Sequence, residues 1–179
     1  MTVKTEIPKL KNLEYLPYLD EKGYIVRELQ GKIGAYAIFD RDKVLQLVAY
    51  SRDIYLSLKQ HLVREPDKCY WVKFSAISRP SRTILEEIRQ AWIEENESIP
   101  PGNATEEAKW NQPIDAKKLM SEAEIEEYQK SEELAQIKLL KTVARRVEEG
   151  IKEQLKSRGV QEEIRFNPKL KEQGLLNLK

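Results

Sequence analysis

The sequence predicts an α+β fold: a small three-stranded antiparallel sheet flanked by helices, followed by a long C-terminal helix. Three observations carry this. Two apolar runs, Ile33 to Phe39 and Val44 to Tyr50, are separated by the short polar stretch Asp40-Arg41-Asp42-Lys43, as in a β-hairpin. A third strand-like run, Tyr70 to Phe74, lies between two segments with helical spacing. From Ser121 a pattern without proline extends to Gly159, about 37 residues and roughly 55 Å as one straight helix.

Residues 1–30 read as an arm. Pro8 and Pro17 stand among the spaced apolar residues Leu10, Leu13, Tyr15, Leu16, Tyr18 and Leu19, leaving room for one short helical turn. Asp20-Glu21-Lys22-Gly23 is a turn signal, after which Tyr24-Ile25-Val26 reads as a short strand leading into the sheet. After the hairpin, Ser51 is the expected N-cap of a helix that buries Ile54, Leu58, His61 and Leu62 and stops before Pro66. Thr83-Ile84-Leu85-Glu86 reads as a capping box opening a second helix with Ile84, Leu85, Ile88, Ala91 and Trp92 inward. The order strand, strand, helix, strand, helix is thus readable over residues 33–96, within a domain placed at residues 31–103.

Pro100-Pro101-Gly102-Asn103 closes this domain, and residues 104–120 are sparse in apolar side chains and read as a linker. The segment 121–159 opens with the capping box Ser121-Glu122-Ala123-Glu124. Its acidic start and basic end complement the helix dipole. Ile137, Leu140, Ala144, Val147 and Ile151 make a narrow apolar seam suited to a partner helix or to docking within the chain. Residues 160–179, with Ile164, Phe166, Leu170, Leu175, Leu176 and Leu178, read as an extended docking tail.

Composition narrows the function classes. Thirty-one Lys and Arg face 30 Asp and Glu, so no global basic field recruits polyanions and any such site is a local patch. A single cysteine, Cys69, excludes an intramolecular disulfide and a cysteine-rich zinc site, and it reads as a half-buried strand thiol. The start, Met1 to Glu6, lacks the apolar stretch of a signal peptide, and no run is long enough to span a membrane; a cytoplasmic location is expected. No Walker loop, dinucleotide fingerprint or nucleophile elbow is present.

Gly34-Ala35-Tyr36 on the first hairpin strand, Leu47-Val48-Ala49 on the second, Gln60-His61 at the end of the first helix, and Asn103 after the proline pair together resemble the GIY-YIG nuclease superfamily over residues 31–103. The resemblance implies that the first-strand tyrosine, Tyr36, would help activate water. It also implies a second-strand tyrosine, a helix arginine for phosphate and a glutamate for one divalent metal. Here the second strand has lost tyrosine and glycine, and the arginine position falls on Ser57 or its neighbours Tyr55 and Leu58. Register from Trp92-Ile93 puts Arg89 where the carboxylate belongs, leaving Glu86 about one turn away.

The expectation is therefore a catalytically inactive GIY-YIG-like domain acting as a protein-binding or assembly module, without a cofactor. Its partner would be another protein or a second copy, engaged through the helix over 121–159. Tyr36 and Glu86 are the residual catalytic candidates, with Glu86 the metal ligand for Mg²⁺ or Mn²⁺ only if nuclease activity survives. One alternative is a DNA- or RNA-binding cleft formed by Lys73, Arg79, Arg82 and Arg89 interleaved with Tyr70, Trp71 and Trp92. The other is a divergent metal-dependent endonuclease using Asp40, Asp42, Glu86 and Glu87.

Overall fold

The computed structural model describes residues 6–179; Met1 to Thr5, part of the expected arm and of the stretch read for a signal peptide, lie outside the described residues. The chain divides into two compact units, Met1–Asn111 and Gln112–Lys179. The architecture is α+β with an antiparallel sheet and a long C-terminal helix.

The sheet of the first unit contains β1 (Leu16–Pro17), β2 (Ile33–Phe39), β3 (Leu45–Ser51) and β4 (Trp71–Ile77), in the spatial order β1-β4-β2-β3. All three pairings are antiparallel. The sheet therefore has four strands, not the expected three. The added strand, β1, is two residues long, too short to show alternation in sequence, and its Pro17 is tolerated because the strand lies at an edge. β2 lies in the interior of the sheet, where covering on both faces explains its near-continuous apolar run.

Two helices, α1 (Ile54–Arg64) and α2 (Arg82–Glu95), supply that cover. Cross-strand partners share a face, so the register sorts the core into two layers. Ala35, Ala37 and Phe39 on β2, with Leu45 and Val48 on β3, pack against Ile88 and Trp92 of α2. Tyr36 points the other way, toward His61 of α1. At Gly34 an added Cβ would fall 2.9 Å from Ala76 Cα of the neighbouring strand and still nearer Ser75 O, so only glycine lets β2 and β4 meet there.

Both helix starts differ from expectation. Asp53, not Ser51, caps α1, its carboxylate accepting from the Leu56 N–H at 3.2 Å. Ser51 remains the last residue of β3 and its Oγ donates to Asp53 O. At α2 the cap is Ser81, bonded to Ile84 N, so the expected box at Thr83 lies inside the helix. Tyr24 to Val26 forms no strand; Ile25 makes a single bridge to Leu19 before a 3-10 turn at Arg27–Leu29.

The arm is fastened by side chains that read its main chain. Glu95 accepts from Leu10 N at 2.8 Å and Lys11 N at 2.9 Å, Trp92 Nε1 donates to Pro8 O at 2.9 Å, and Lys73 Nζ donates to Leu10 O at 3.0 Å. Before β1, a 3-10 turn over Leu10–Asn12 is its only helical part among the described residues. The segment read as a linker is structured. It carries α3 (Glu107–Asn111), which belongs to the first unit, then β5 (Ile114–Asp115) and a 3-10 turn over Ala116–Leu119.

In the second unit the expected unbroken helix is two helices, α4 (Glu122–Lys130) and α5 (Glu133–Ser157). Neither proline nor glycine causes the break. Ser131 takes an extended backbone and its hydroxyl donates to Glu127 O, the local competition that serine offers against continued helix. The capping box at Ser121 and Glu124 is present. The face of α5 that is fully buried comprises Leu140, Val143, Ala144 and Leu155. The tail forms α6 (Pro168–Lys171) and β6 (Leu175–Leu176), which pairs with β5. Among the described residues no helix is long and apolar enough to cross a membrane.

Candidate functional site

The free edge of β3 sets up the site. Successive residues of an antiparallel edge strand turn their backbone groups alternately toward the neighbour and outward. Val48 turns outward, and the side-chain amide of Asn103 satisfies it fully: Val48 N donates to Oδ1 at 2.8 Å and Nδ2 donates to Val48 O at 2.7 Å. Asn103 thereby stands in for a fifth strand. This needs the 3-10 turn Pro101–Asn103 to lie against the edge, and Gly102 allows it: a Cβ there would sit 2.7 Å from Gln46 O and 3.0 Å from Trp110 Cδ1.

Beyond Asn103 the edge opens into a groove of about 1050 Å³ between β3, α2 and α3. Its α2 wall carries Arg82, Glu86, Glu87 and Arg89, and α3 contributes Glu107 and Asn111. Arg89 donates to Glu86. That bond, followed by the hydroxyl of Tyr50, holds the Glu86 carboxyl below its usual pKa. With Glu86 neutralised by Arg89, Arg82 faces a groove that also holds Glu87 and Glu107, so both signs of charge are on offer.

Behind the groove lies a buried polar chain. Trp110 O can only accept, so His61 Nδ1, 3.0 Å away, carries the proton and Nε2 accepts from the Tyr36 hydroxyl at 2.8 Å. Arg64 donates to the same carbonyl at 2.8 Å, which ties α3, and with it one wall of the groove, to α1. Burial, reinforced by Arg64, lowers the His61 pKa to about 3, and burial raises that of Tyr36 above the ordinary phenol value against the opposing hydrogen bond of Ser57. Trp110 Nε1 is buried without a hydrogen-bond partner among the described residues.

The structure separates most of the residues that the sequence grouped. Tyr36 is 2% exposed and engaged by His61, whereas Glu86 lies in the open groove. Lys73 is 4% exposed, donates to Leu10 O and lies 4.0 Å from the Tyr15 ring centroid, so it presents no cation to a solvent-borne phosphate. Trp92 is fully buried. Arg82 and Arg89 line the groove; Arg79 does not. Asp40 is occupied in the hairpin loop by Asp42 N, Val44 N and Gln46 Nε2, and neither Asp40 nor Asp42 reaches the groove. No group of three or more potential metal ligands occurs among the described residues. Cys69, expected to be half-buried, has no exposed surface. His61 was legible only as one member of an apolar helical face, and nothing in sequence pointed to Trp110 as its partner.

No family model matches the chain. A curated relative, the bifunctional monothiol glutaredoxin-S16, chloroplastic, of Arabidopsis thaliana, is 30% identical over 105 residues. The match covers 56% of this chain and 34% of the relative, so the chain spans about a third of that protein's length. This overturns the expected GIY-YIG resemblance, because the relative bears the name of a glutaredoxin. The inactive nuclease module, the nucleic-acid-binding cleft and the metal-dependent endonuclease fall with it.

Proposed function

We propose that this chain is a ligand-binding module of a thiol-redox system and supplies a function other than thiol exchange. The complete burial of its one cysteine carries the reading. Monothiol chemistry needs an accessible thiolate, and Cys69 has no exposed surface. The sheet points the same way: a thioredoxin-like redox site sits beside a βαβ unit with parallel strands, and every strand pair among the described residues is antiparallel. The relative is called bifunctional, and this chain matches a third of it. The groove at the β3 edge is the binding site, and its mixed charge favours a small zwitterionic ligand that meets Arg82 with a carboxylate and Glu87 or Glu107 with an ammonium group.

The test has two parts. Native protein is exposed to glutathione disulfide and followed by intact mass; no adduct forms until the chain is unfolded. A stoichiometric adduct on the native protein, with glutathione-dependent reductase activity lost in Cys69→Ser, would refute the reading. Titration of the full chain with zwitterionic dipeptides, followed by NMR, should shift Tyr50, Arg89 and Asn103. Those shifts disappear in an Arg82→Ala, Glu87→Ala variant, and a response spread evenly over the surface would remove the groove from consideration.

A further inference from the structure

In the second unit a small cavity of about 210 Å³ lies where α5 meets α6. Its lining brings together Lys141 and Arg145 from α5 and Lys169 and Lys171 from α6, with Glu172 as the sole carboxylate. Two of these cations have partners. Lys171 Nζ donates to Glu148 at 2.8 Å, and Lys141 pairs with Glu172 at 3.3 Å. Arg145 and Lys169 make no ion pair among the described residues.

The unpaired cations of interest share one cavity. On α5, Arg146 pairs with Glu124 and Lys152 with Glu148, while Lys138 and Lys156, which make no ion pair among the described residues, lie outside that lining. Arg145 and Lys169, unpaired and lining one cavity from two elements, repel one another, a cost that an anion between them converts into attraction. The volume is below that of a drug-sized site, so the ligand is compact. Arg145 adds a planar donor fork that fits tetrahedral or carboxylate oxygens, while the lysines add point charges.

We propose that this cavity binds a free, compact oxyanion carrying two or more negative charges. Charge density, rather than shape, sets the preference, so pyrophosphate binds more tightly than inorganic phosphate, with citrate marking whether a carboxylate anion can substitute. The experiment is calorimetric titration of the full chain with each of these three salts at low ionic strength. One site per chain is expected for pyrophosphate. Arg145→Gln with Lys169→Gln weakens it by about tenfold or more, as the loss of charge-assisted hydrogen bonds requires. Lys118→Gln with Lys130→Gln, which removes the same charge elsewhere in the unit, leaves it within about twofold if the site is local. Circular dichroism confirms that each variant is folded, and Lys169→Gln alone replaces the double variant if that one is not. Absence of binding heat at millimolar pyrophosphate, or an equal loss in the Lys118, Lys130 pair, overturns the proposal.

Discussion

Acidification should destabilise this protein through His61 well before most carboxylates titrate. The imidazole is 4% exposed and held neutral between Tyr36 and Trp110, with its pKa lowered to about 3 from the ordinary 6.5. Above pH 6.5 the ring is neutral in both folded and unfolded chains and contributes no pH dependence. Below 6.5 the unfolded chain takes up a proton that the folded chain refuses until about pH 3, so stability falls with pH across that window. One proton corresponds to about 1.4 kcal/mol per pH unit, and at about pH 4.5 the loss from this residue is about 2 to 3 kcal/mol. Urea unfolding of the wild type and of His61→Gln, each at about pH 7 and about pH 4.5, isolates the effect, because the carboxylates titrate alike in both proteins. The wild type should lose about 2 to 3 kcal/mol more than the variant. Parallel losses would show that His61 is not buried as a neutral ring, and the reasoning would fail.

Tyr36→Phe leaves His61 Nε2 buried without its donor and should cost about 1 to 3 kcal/mol in chemical denaturation. Because the phenol pKa is raised in the fold, the wild type should also lose stability as pH climbs above the ordinary tyrosine value, a decline that the variant lacks. Asn103→Ala exposes the Val48 backbone edge, and hydrogen exchange at the Val48 amide should speed up while the centre of β2 stays protected. Glu95→Ala removes the carboxylate that holds Leu10 N and Lys11 N; a loss of about 1.5 to 3 kcal/mol is expected, with protease sensitivity appearing first in residues 6–13. Gly34→Ala drives a Cβ into the backbone of β4 and should cost about 1 to 3 kcal/mol or more, read as a lowered thermal midpoint.

Sequence by itself determined the parts of this protein that depend on local pattern. The hairpin β2–β3 was visible because a short polar stretch separates two β-rich apolar runs, and α2 because Leu85, Ile88 and Trp92 recur at helical spacing toward one face. The capping box at Ser121 and Glu124 was visible because both halves lie within one turn of chain. Tertiary structure decided what distant residues do to one another. β1 exists because Leu16 meets Val72, which no two-residue run can announce. Ser131 breaks the long segment through a bond to Glu127 that leaves no compositional mark. Lys73 looked like a surface cation, yet Leu10, 63 positions away, turns it into a buried donor. His61 looked like one more residue on a helix face, yet the carbonyl of Trp110, 49 positions on, fixes its tautomer and thereby one wall of the groove. Periodicity reports which side of an element is buried; the partner on that side is chosen by packing across the whole chain, and the chemistry of the site follows from the partner.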